Sequence, residues 1–420
     1  MGINVDNIVA VISNTIYLID KRNLNIDRAF TYTCRKYRCH SPQLTREDLF
    51  NIVHDFVSRY IFLKSVAEKS GKRNVSFRAL AKLYLYIKLK ELGLTIPSKL
   101  SKVVTRDFGE LEDNITSLEP WQRLSYPKWI YDRLLEIMDK NDVEEMLEHM
   151  NRRIIWLRIN TLKIDIDKAL HLIDSDGIEF NVDKSIPFIV RVLRSPIPVR
   201  SLKIVKEGAA IIQDKASVLT VIAMDPKPDD LIYDFAAAPG IKTSLIMQLT
   251  ENKARVVALD RSPRRLRSMK VLLKKYGVNV DRVDLALTDS RIVTLSRRAD
   301  LALVDAPCSS SGAIPKDPSI KIMLMNQDIP KKMQYIQFAI LKNAIKHSER
   351  IVYATCSILP EEGEEIIQKI LHSHDIELEN ITIPASRGYK VYSIWNKVYR
   401  TYPHIDECEG FFISRIKSIE

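Results

Sequence analysis

The chain has 420 residues, 46% of them hydrophobic, and a formal net charge of +11 at pH 7. Its length predicts two or three domains, and its apolar fraction is that of a globular protein with an ordinary core. The charge favours a polyanionic partner, either nucleic acid or an anionic membrane surface. We expect no membrane span and no secretory leader, because the sequence has no apolar run of about 18 residues and no cleavable N-terminal pattern. Five cysteines without paired spacing argue against a disulfide scaffold and favour a reducing, cytoplasmic setting.

Residues 1–112 are predicted to form an all-helical domain. Apolar residues recur at helical spacing over residues 48–63 and 77–92, and Gly93 suits the end of the second helix. The charged stretch at residues 98–118 is interpreted as a linker to the next domain.

Three residues of this region, Cys34, Cys39 and His40, lie close enough in sequence to suggest a metal site. Zinc requires four ligands with recognisable paired spacing, and no second pair accompanies them. We therefore interpret them as packing residues of a helix, and we interpret His404 and Cys408 in the same way. No metal is expected.

Residues 118–201 show the pattern of a small α+β domain, of the RRM-like kind. A helical pattern over residues 127–138 is followed by an apolar run at 154–160 that suits a strand. Residues 165–173 then suit a helix, and residues 188–193 suit a second strand.

Strands and helices alternate in the remainder of the chain, residues 202–420. Apolar runs typical of buried strands lie at residues 232–236, 255–260, 283–287, 299–305 and 351–355. Helical patterns begin at Lys242 and cover residues 263–276 and 332–347. This alternation predicts an α/β fold, a Rossmann-like parallel sheet with helices on both faces.

Two of these strands end at a cysteine motif. Residues 305–308 read Asp-Ala-Pro-Cys, and residues 355–357 read Thr-Cys-Ser. The carboxyl ends of parallel strands gather ligands and catalytic groups, so we expect Cys308 and Cys356 to face one pocket. Two thiols in one pocket indicate a nucleophile and a partner.

The loop after the first strand of the sheet predicts what the pocket holds. It is rich in small residues, and Gly240 allows a tight turn close to a ligand. It matches neither the G-x-G-x-x-G pattern nor the phosphate-binding G-K-[ST] ending, which disfavours di- and triphosphates. Asp260, at the end of the second strand, suits ribose hydroxyls, and Asp289, past the third, suits an adenine amino group. A nucleoside without phosphates fits this layout, and S-adenosylmethionine is the expected cofactor.

Three segments carry a resemblance to a known family. Residues 236–242, 305–312 and 355–362 resemble the Sun (Fmu) family of RNA cytosine-5 methyltransferases. Segments 157–162, 213–217, 400–404 and 410–413 also look like that family, so the resemblance runs over residues 124–420. The helical N-terminus resembles the NusB-like domain that precedes the catalytic core in the bacterial small-subunit ribosomal RNA methyltransferase B group.

The resemblance implies a role for each residue of the pocket. Cys356 is the nucleophile that adds to cytosine C6, and Cys308 assists removal of the C5 proton and release of the product. Asp305 hydrogen-bonds the base, and Lys242 supplies the positive charge that favours a thiolate. The residues expected to bind the cofactor are Ala236, Ala237, Ala238, Pro239, Gly240, Ile241, Lys242, Asp260, Arg265, Asp289 and Asp305.

The sequence departs from the family pattern at two positions of the cofactor loop. Ile241 stands where the family usually has a second glycine, and we expect it to narrow the methionine end of the pocket and to weaken or alter contact there. Phe235 replaces a small residue or a cysteine, which we interpret as a packing variation.

Structured RNA is the expected partner, because a target base must leave its stack to reach the cysteines. The basic helix is a candidate phosphate surface, although most of its charges suit a solvated face; its basic residues are Arg261, Arg264, Arg265, Arg267, Lys270, Lys274 and Lys275. Arg152, Arg153 and Arg158 could touch RNA, or could be core or surface residues.

The RNA target itself is not readable from the sequence. The NusB-like region favours ribosomal RNA, and transfer RNA is the main alternative. A non-catalytic RNA-binding assembly factor and a DNA cytosine methyltransferase are the other hypotheses. A monomer is expected.

Overall fold

The computed structural model describes residues 5–37, 39, 44–72 and 74–419. The chain divides into two compact units. The helical unit comprises Met1–Arg152 and Ala313–Gln327, and the α/β unit comprises Arg153–Gly312 and Asp328–Glu420. None of the helices in the described part of the chain is long and apolar enough to cross a membrane.

The helical unit is built from amphipathic helices around one apolar core. In the first helix Ile8, Ile12, Ile16 and Ile19 recur at helical spacing and are buried, which is the pattern of a single stripe facing the core. The helices before residue 153 are α1 (Val5–Arg22), α2 (Ile26–Lys36), α3 (Arg46–Ser58), α4 (Tyr60–Lys69), α5 (Phe77–Glu91), α6 (Ser98–Phe108), α7 (Leu111–Thr116), α8 (Pro120–Arg123), α9 (Lys128–Leu135) and α10 (Lys140–His149).

Two parts of this unit differ from the sequence prediction. The helical pattern at residues 48–63 spans two helices, α3 and α4, which meet at Arg59. The interpretation of residues 98–118 as a linker was wrong, because this stretch forms α6 and α7. Leu100, Val104 and Phe108 lie four residues apart on one face of α6 and are buried in the core, a stripe that the surrounding charges masked.

Cys34 and Cys39 form a disulfide, which their spacing did not predict, and both pack against the core of the helical unit, as expected. Their Cα atoms lie 5.4 Å apart, within the range that a disulfide requires. His40 lies outside the described residues.

The unit boundaries also differ from the predicted domains. Helices α8–α10, expected in the small α+β domain, belong to the helical unit. So do residues 313–327, which leave the α/β unit and return to it. Lys321 lies in this segment and is buried. Its Nζ donates to the Ser58 carbonyl at 2.9 Å and lies 3.9 Å from the centroid of the Tyr126 ring. Burial lowers the pKa of Lys321 well below its usual value.

A small antiparallel sheet opens the α/β unit, with strand order β2-β3-β1-β4. Its elements are β1 (Ile155–Ile159), α11 (Ile166–Ser175), β2 (Glu179–Val182), β3 (Ile189–Arg194), α12 (Lys203–Lys206) and β4 (Ala210–Ile212). The predicted strands at 154–160 and 188–193 and the helix at 165–173 are confirmed. Strand β4 lies past residue 201, the predicted end of this domain. It pairs with β1 although 50 residues of chain separate them, and no local pattern indicates such a pairing.

Arg158 on β1 is fully buried and cannot be an RNA contact. Its guanidinium donates to Gln248 Oε1 at 2.9 Å and to Ser244 Oγ at 2.7 Å. Burial lowers the pKa of Arg158 to about 9. Strand alternation explains the position, since Leu157 and Ile159 occupy the opposite face.

The large sheet has the order β11-β12-β13-β9-β8-β5-β6-β7, and β10 pairs with β13. Strands β5 to β9 pair in parallel, while β10 to β13 add antiparallel pairs. The strands are β5 (Leu231–Asp234), β6 (Arg255–Asp260), β7 (Val283–Leu287), β8 (Ala299–Asp305), β9 (Ser348–Thr355), β10 (Ile376–Glu379), β11 (Ser386–Arg387), β12 (Tyr399–Thr401) and β13 (Phe411–Ser418). The helices after β4 are α13 (Lys215–Ile222), α14 (Ile241–Leu249), α15 (Pro263–Lys275), α16 (Ile320–Met323), which lies in the helical unit, α17 (Ile329–His347), α18 (Glu364–Leu371) and α19 (Pro403–Asp406).

Both faces of the large sheet are covered by helices, as predicted. On β8 Leu301 and Leu303 pack into the cluster that holds α14 and α15, while Ala302 and Val304 pack into the cluster that holds α17 and α18. Successive residues of a strand point to opposite faces, so this continuous apolar run serves two cores. The Rossmann-like fold class is therefore confirmed.

Candidate active site

The two cysteine motifs meet at one edge of the large sheet. Strands β8 and β9 are parallel neighbours, and their carboxyl ends carry Cys308 and Cys356. The two Sγ atoms lie 2.9 Å apart, and both side chains are half-buried. Ser310 adds a hydroxyl 3.6 Å from the Cys356 sulfur. The structure thus brings the two thiols together, as their positions at the ends of two strands predicted.

A glycine allows the two cysteine loops to pack closely. Gly312 N donates to the Cys356 carbonyl at 3.0 Å, and Gly410 N donates to the Gly312 carbonyl at 3.0 Å. A Cβ atom on Gly312 would lie 1.7 Å from the Gly410 carbonyl oxygen. No side chain fits there, because backbone from the loop before β13 occupies the space.

Lys242 and Asp305 form an ion pair in the same site. Lys242 Nζ lies 2.6 Å from Asp305 Oδ2 and 5.5 Å from the centroid of the Phe411 ring. Burial by itself would lower the pKa of Lys242, but the Asp305 carboxylate and the Cys356 sulfur raise the pKa above its usual value. Lys242 therefore stays an ammonium group over the physiological pH range.

Cys308 is held in the neutral form. Its hydrogen bond with Cys356, together with burial and the nearby Glu362 carboxylate, raises the pKa of Cys308 well above that of a free thiol. A neutral Cys308 can donate a hydrogen bond to a Cys356 thiolate, which gives the two sulfurs different chemical roles.

A cavity of about 480 Å³ opens beside the cysteines. Its size is that of a small-molecule site. The predicted residues that line it are Ala236, Ala238, Pro239, Asp260, Arg265, Asp289, Asp305, Cys308 and Cys356. Lys242 reaches the site through Asp305 and is not part of the lining.

Two carboxylates define the end of the cavity away from the cysteines. Asp260 accepts from Ser262 N at 2.8 Å and pairs with Arg265 at 3.3 Å, and Arg265 also donates to the Ala238 carbonyl. Asp289 is paired with Arg291 through contacts of 2.5–3.1 Å, which lower the pKa of Asp289 to about 2. Asp260 keeps lone pairs for hydroxyl donors, whereas both oxygens of Asp289 accept from Arg291, whose backbone N–H adds a contact to Oδ1 at 3.0 Å.

Only part of the loop from Ala236 to Lys242 lines the cavity. Gly240 adopts φ 96°, and a Cβ there would lie 2.8 Å from Met269 Cγ, so a glycine is required. Ala237, Gly240 and Ile241 are not in the lining. Ile241 packs instead against the apolar core of the unit, away from the pocket that it was expected to narrow. Phe235 is buried and packs edge-on against Tyr233.

This chemistry fits an S-adenosylmethionine molecule. A carboxylate stands at the end of β6 and another past β7, where ribose and adenine donors would bind, and their charge disfavours a phosphate. Small side chains on one wall leave room for a flat base.

Sequence reasoning missed one wall of the cavity. Met333, Ile336 and Ile340 on α17 line it at spacings of three and four residues, a stripe that periodicity alone assigns to a core. The other missed lining residues are Phe235, Arg261, Thr288, Ser290, Arg291, Ala306, Pro307 and Ser310. Among the residues that the structure describes, no group of three or more metal-ligating side chains is placed to hold an ion.

Comparison with known proteins agrees with this geometry. Residues 221–417 match the family described as 16S rRNA methyltransferase RsmB/F, and residues 126–200 match the ferredoxin-like domain of that family. Ribosomal RNA small subunit methyltransferase B of Klebsiella pneumoniae is 33% identical over 324 residues, which are 74% of this chain and 71% of that protein. This chain belongs to the RsmB/F family.

Two further relatives define the breadth of the RsmB/F resemblance. The tRNA (cytosine(72)-C(5))-methyltransferase of Pyrococcus horikoshii is 36% identical over 224 residues, 52% of this chain and 55% of that protein. The crystal structure of PH0851 matches with a TM-score of 0.80 at 26% identity, covering 100% of both chains. RsmB/F enzymes are RNA cytosine-5 methyltransferases that depend on S-adenosylmethionine, so the predicted activity and cofactor are confirmed.

Proposed function

We propose that this protein methylates C5 of a cytosine in small-subunit ribosomal RNA through a covalent bond between Cys356 and C6 of the base. The observation that carries the proposal is the 2.9 Å separation of the Cys308 and Cys356 sulfurs beside the Lys242–Asp305 pair. Cytosine C5 is a poor nucleophile, and thiolate addition at C6 makes an enamine that overcomes this.

Each side chain has a role in this reaction. Lys242 stabilises the thiolate of Cys356 by its charge, and the thiolate forms a C–S bond with C6 while the electron pair of the C5–C6 double bond becomes available at C5. Asp305 accepts a hydrogen bond from the amino edge of the base. Bound S-adenosylmethionine supplies the methyl group.

Release of the product reverses the covalent step. Loss of the C5 proton restores the C5–C6 double bond and expels Cys356 as a thiolate. Cys308 assists removal of that proton: its own proton passes to the departing Cys356 sulfur across their 2.9 Å contact, and the Cys308 sulfur takes up the C5 proton in its place. General acid–base groups of this kind contribute about 10²- to 10⁴-fold in rate.

The ribosomal target is favoured by how far the relatives match. The Klebsiella pneumoniae protein aligns over 324 residues, more than the 224 that align with the archaeal tRNA enzyme. The longer match extends beyond residues 221–417, the methyltransferase region, into the part of the chain that precedes it. Transfer RNA is the alternative.

The test uses Cys308→Ala, Cys356→Ala and the double variant, each incubated with S-adenosylmethionine and either small-subunit ribosomal RNA, tRNA or single-stranded DNA of matched sequence. We expect Cys308→Ala alone to carry covalently bound ribosomal RNA on a denaturing gel. Trapping by Cys356→Ala would reverse the two roles, and trapping of tRNA alone would overturn the target. If wild type methylates no substrate and no variant traps RNA, the non-catalytic assembly factor becomes the better explanation.

A further inference from the structure

One buried carboxylate connects the two cysteine loops. Glu362 ends a 3₁₀ turn, Pro360–Glu362, and its side chain is fully buried. It accepts from Ser309 N at 2.8 Å, from Ser309 Oγ at 2.5 Å and from Ser357 Oγ at 2.6 Å. Gln337 on α17 donates at 3.0 Å. Ser309 follows Cys308 directly and Ser357 follows Cys356. The Glu362 side chain is therefore hydrogen-bonded to the residue next to each cysteine.

The backbone of Glu362 extends this connection. Its carbonyl accepts from the Tyr353 hydroxyl at 2.9 Å and from Thr355 Oγ1 at 3.1 Å, both at the end of β9. All these donors are neutral groups. A carboxylate buried without an ion-pair partner is costly, and hydrogen bonds of this number and geometry are what offset that cost. A purely structural turn could use an apolar residue at lower cost.

We propose that Glu362 is a positioning residue for the methyl transfer: through Ser309 and Ser357 it holds Cys308 and Cys356 at the separation that their two roles require. The proposal rests on the covalent mechanism described above. Glu362 is not among the residues that line the cavity. It acts only through the two serines.

The charge of Glu362 has a second effect. It adds to the hydrogen bond and the burial that raise the pKa of Cys308, and so keeps this thiol neutral. The other titratable groups near the pair are Lys242, which pairs with Asp305, and Tyr353 and Arg400. The pKa values of Lys242 and Tyr353 are raised above their usual values, and burial raises the pKa of Glu362, although its hydrogen bonds with Ser309, Ser357 and Gln337 oppose that shift.

The experiment compares Glu362→Gln with Glu365→Gln in the full-length protein. Glutamine keeps the shape of the side chain, and its oxygen can still accept from Ser309 N. It loses the charge and the second oxygen, which accepts from the hydroxyls of both Ser309 and Ser357. Glu365 accepts from Gln334 at 3.3 Å and Tyr392 at 3.1 Å, and is the matched control. Two readouts are used: kcat and KM for methyl transfer, and the rate of iodoacetamide alkylation of each cysteine between pH 6 and 9, resolved by peptide mass spectrometry.

For Glu362→Gln we expect kcat to fall about 10²-fold with KM for S-adenosylmethionine unchanged, as for a small misplacement of reacting groups. The alkylation rate of Cys308 at neutral pH should rise about tenfold, because loss of the charge moves its titration to lower pH. Glu365→Gln should change neither quantity. Glu362→Asp, which keeps the charge but is shorter by one methylene, should keep the low Cys308 reactivity and recover kcat only in part.

Equal kcat and equal alkylation profiles in Glu362→Gln and Glu365→Gln would overturn the proposal. If Glu362→Gln does not fold by circular dichroism, the same readouts on Ser309→Ala and Ser357→Ala decide: the proposal requires kcat to fall in both. Alkylation does not depend on turnover. A Cys308→Ala protein that traps no RNA therefore refutes the covalent mechanism, while the cysteine reactivities still report whether Glu362 controls the two loops.

Discussion

Replacement of Arg400 by methionine should destabilise the α/β unit severely. Arg400 and Glu364 are 1% and 0% exposed and are joined by two contacts, Nε–Oε1 at 2.8 Å and Nη2–Oε2 at 2.6 Å. Nη1 also donates to the Ser357 carbonyl at 2.9 Å, next to Cys356. The guanidinium lies 4.1 Å from the Tyr389 ring centroid.

The expected magnitude follows from this burial. Removal of one partner of a buried ion pair leaves the other charge uncompensated, which costs about 3–5 kcal/mol of unfolding free energy. For a unit of this size, 1 kcal/mol corresponds to about 2–4 °C, so the unfolding temperature of Arg400→Met should fall by about 6–20 °C. Methyl transfer should fall as well, because the loop that carries Cys356 loses a backbone anchor.

Calorimetric scanning of three variants provides the assay. Arg387→Met removes an exposed arginine that lies 4.3 Å from the Tyr399 ring, and should cost no more than about 1 kcal/mol. The double variant Arg400→Met with Glu364→Met removes both charges and should unfold at a higher temperature than Arg400→Met alone. A shift for Arg400→Met no larger than that of Arg387→Met, or additive effects in the double variant, would refute the reasoning.

Two further predictions concern Asp234 and Lys242, which do not line the cavity. Burial raises the pKa of Asp234 to about 7, although Thr243 donates to it at 2.7 Å. A raised folded-state pKa gives stability that is complete below about pH 4 and is lost as the pH rises through about 7. Asp234→Asn should therefore unfold at the same temperature as wild type at about pH 4, and at a higher temperature than wild type at about pH 8. Identical melting curves at pH 8 would contradict this. Lys242→Met should lower the initial rate of methyl transfer about 10²- to 10³-fold, because the thiolate of Cys356 loses its charge partner; titration calorimetry should show nearly unchanged S-adenosylmethionine affinity, and an unchanged rate would exclude the role of Lys242.

The sequence by itself determined the parallel strands of the sheet and the residues at their carboxyl ends. Buried parallel strands are continuous apolar runs, and a polar residue or cysteine after each run marks its carboxyl end. The runs ending at Asp260, Asp305 and Thr355 were found in this way, and strands β6, β8 and β9 confirm them. Family, activity and cofactor followed from the motifs at those ends. The roles assigned to Cys356 and Cys308 stay predictions.

Only the tertiary structure decided which residues support these motifs. Glu362 and Arg400 lie 38 residues apart and meet at the loop of Cys356 through partners that no local periodicity indicates. The burial of Arg158 and the pairing of β4 with β1 likewise depend on contacts distant in sequence. Periodicity records which side of an element is apolar, whereas a buried charge is stable only where the fold brings a partner to it. The pattern along the chain therefore predicted the strands and the pocket, and the fold alone chose the polar groups that hold the two cysteines in place.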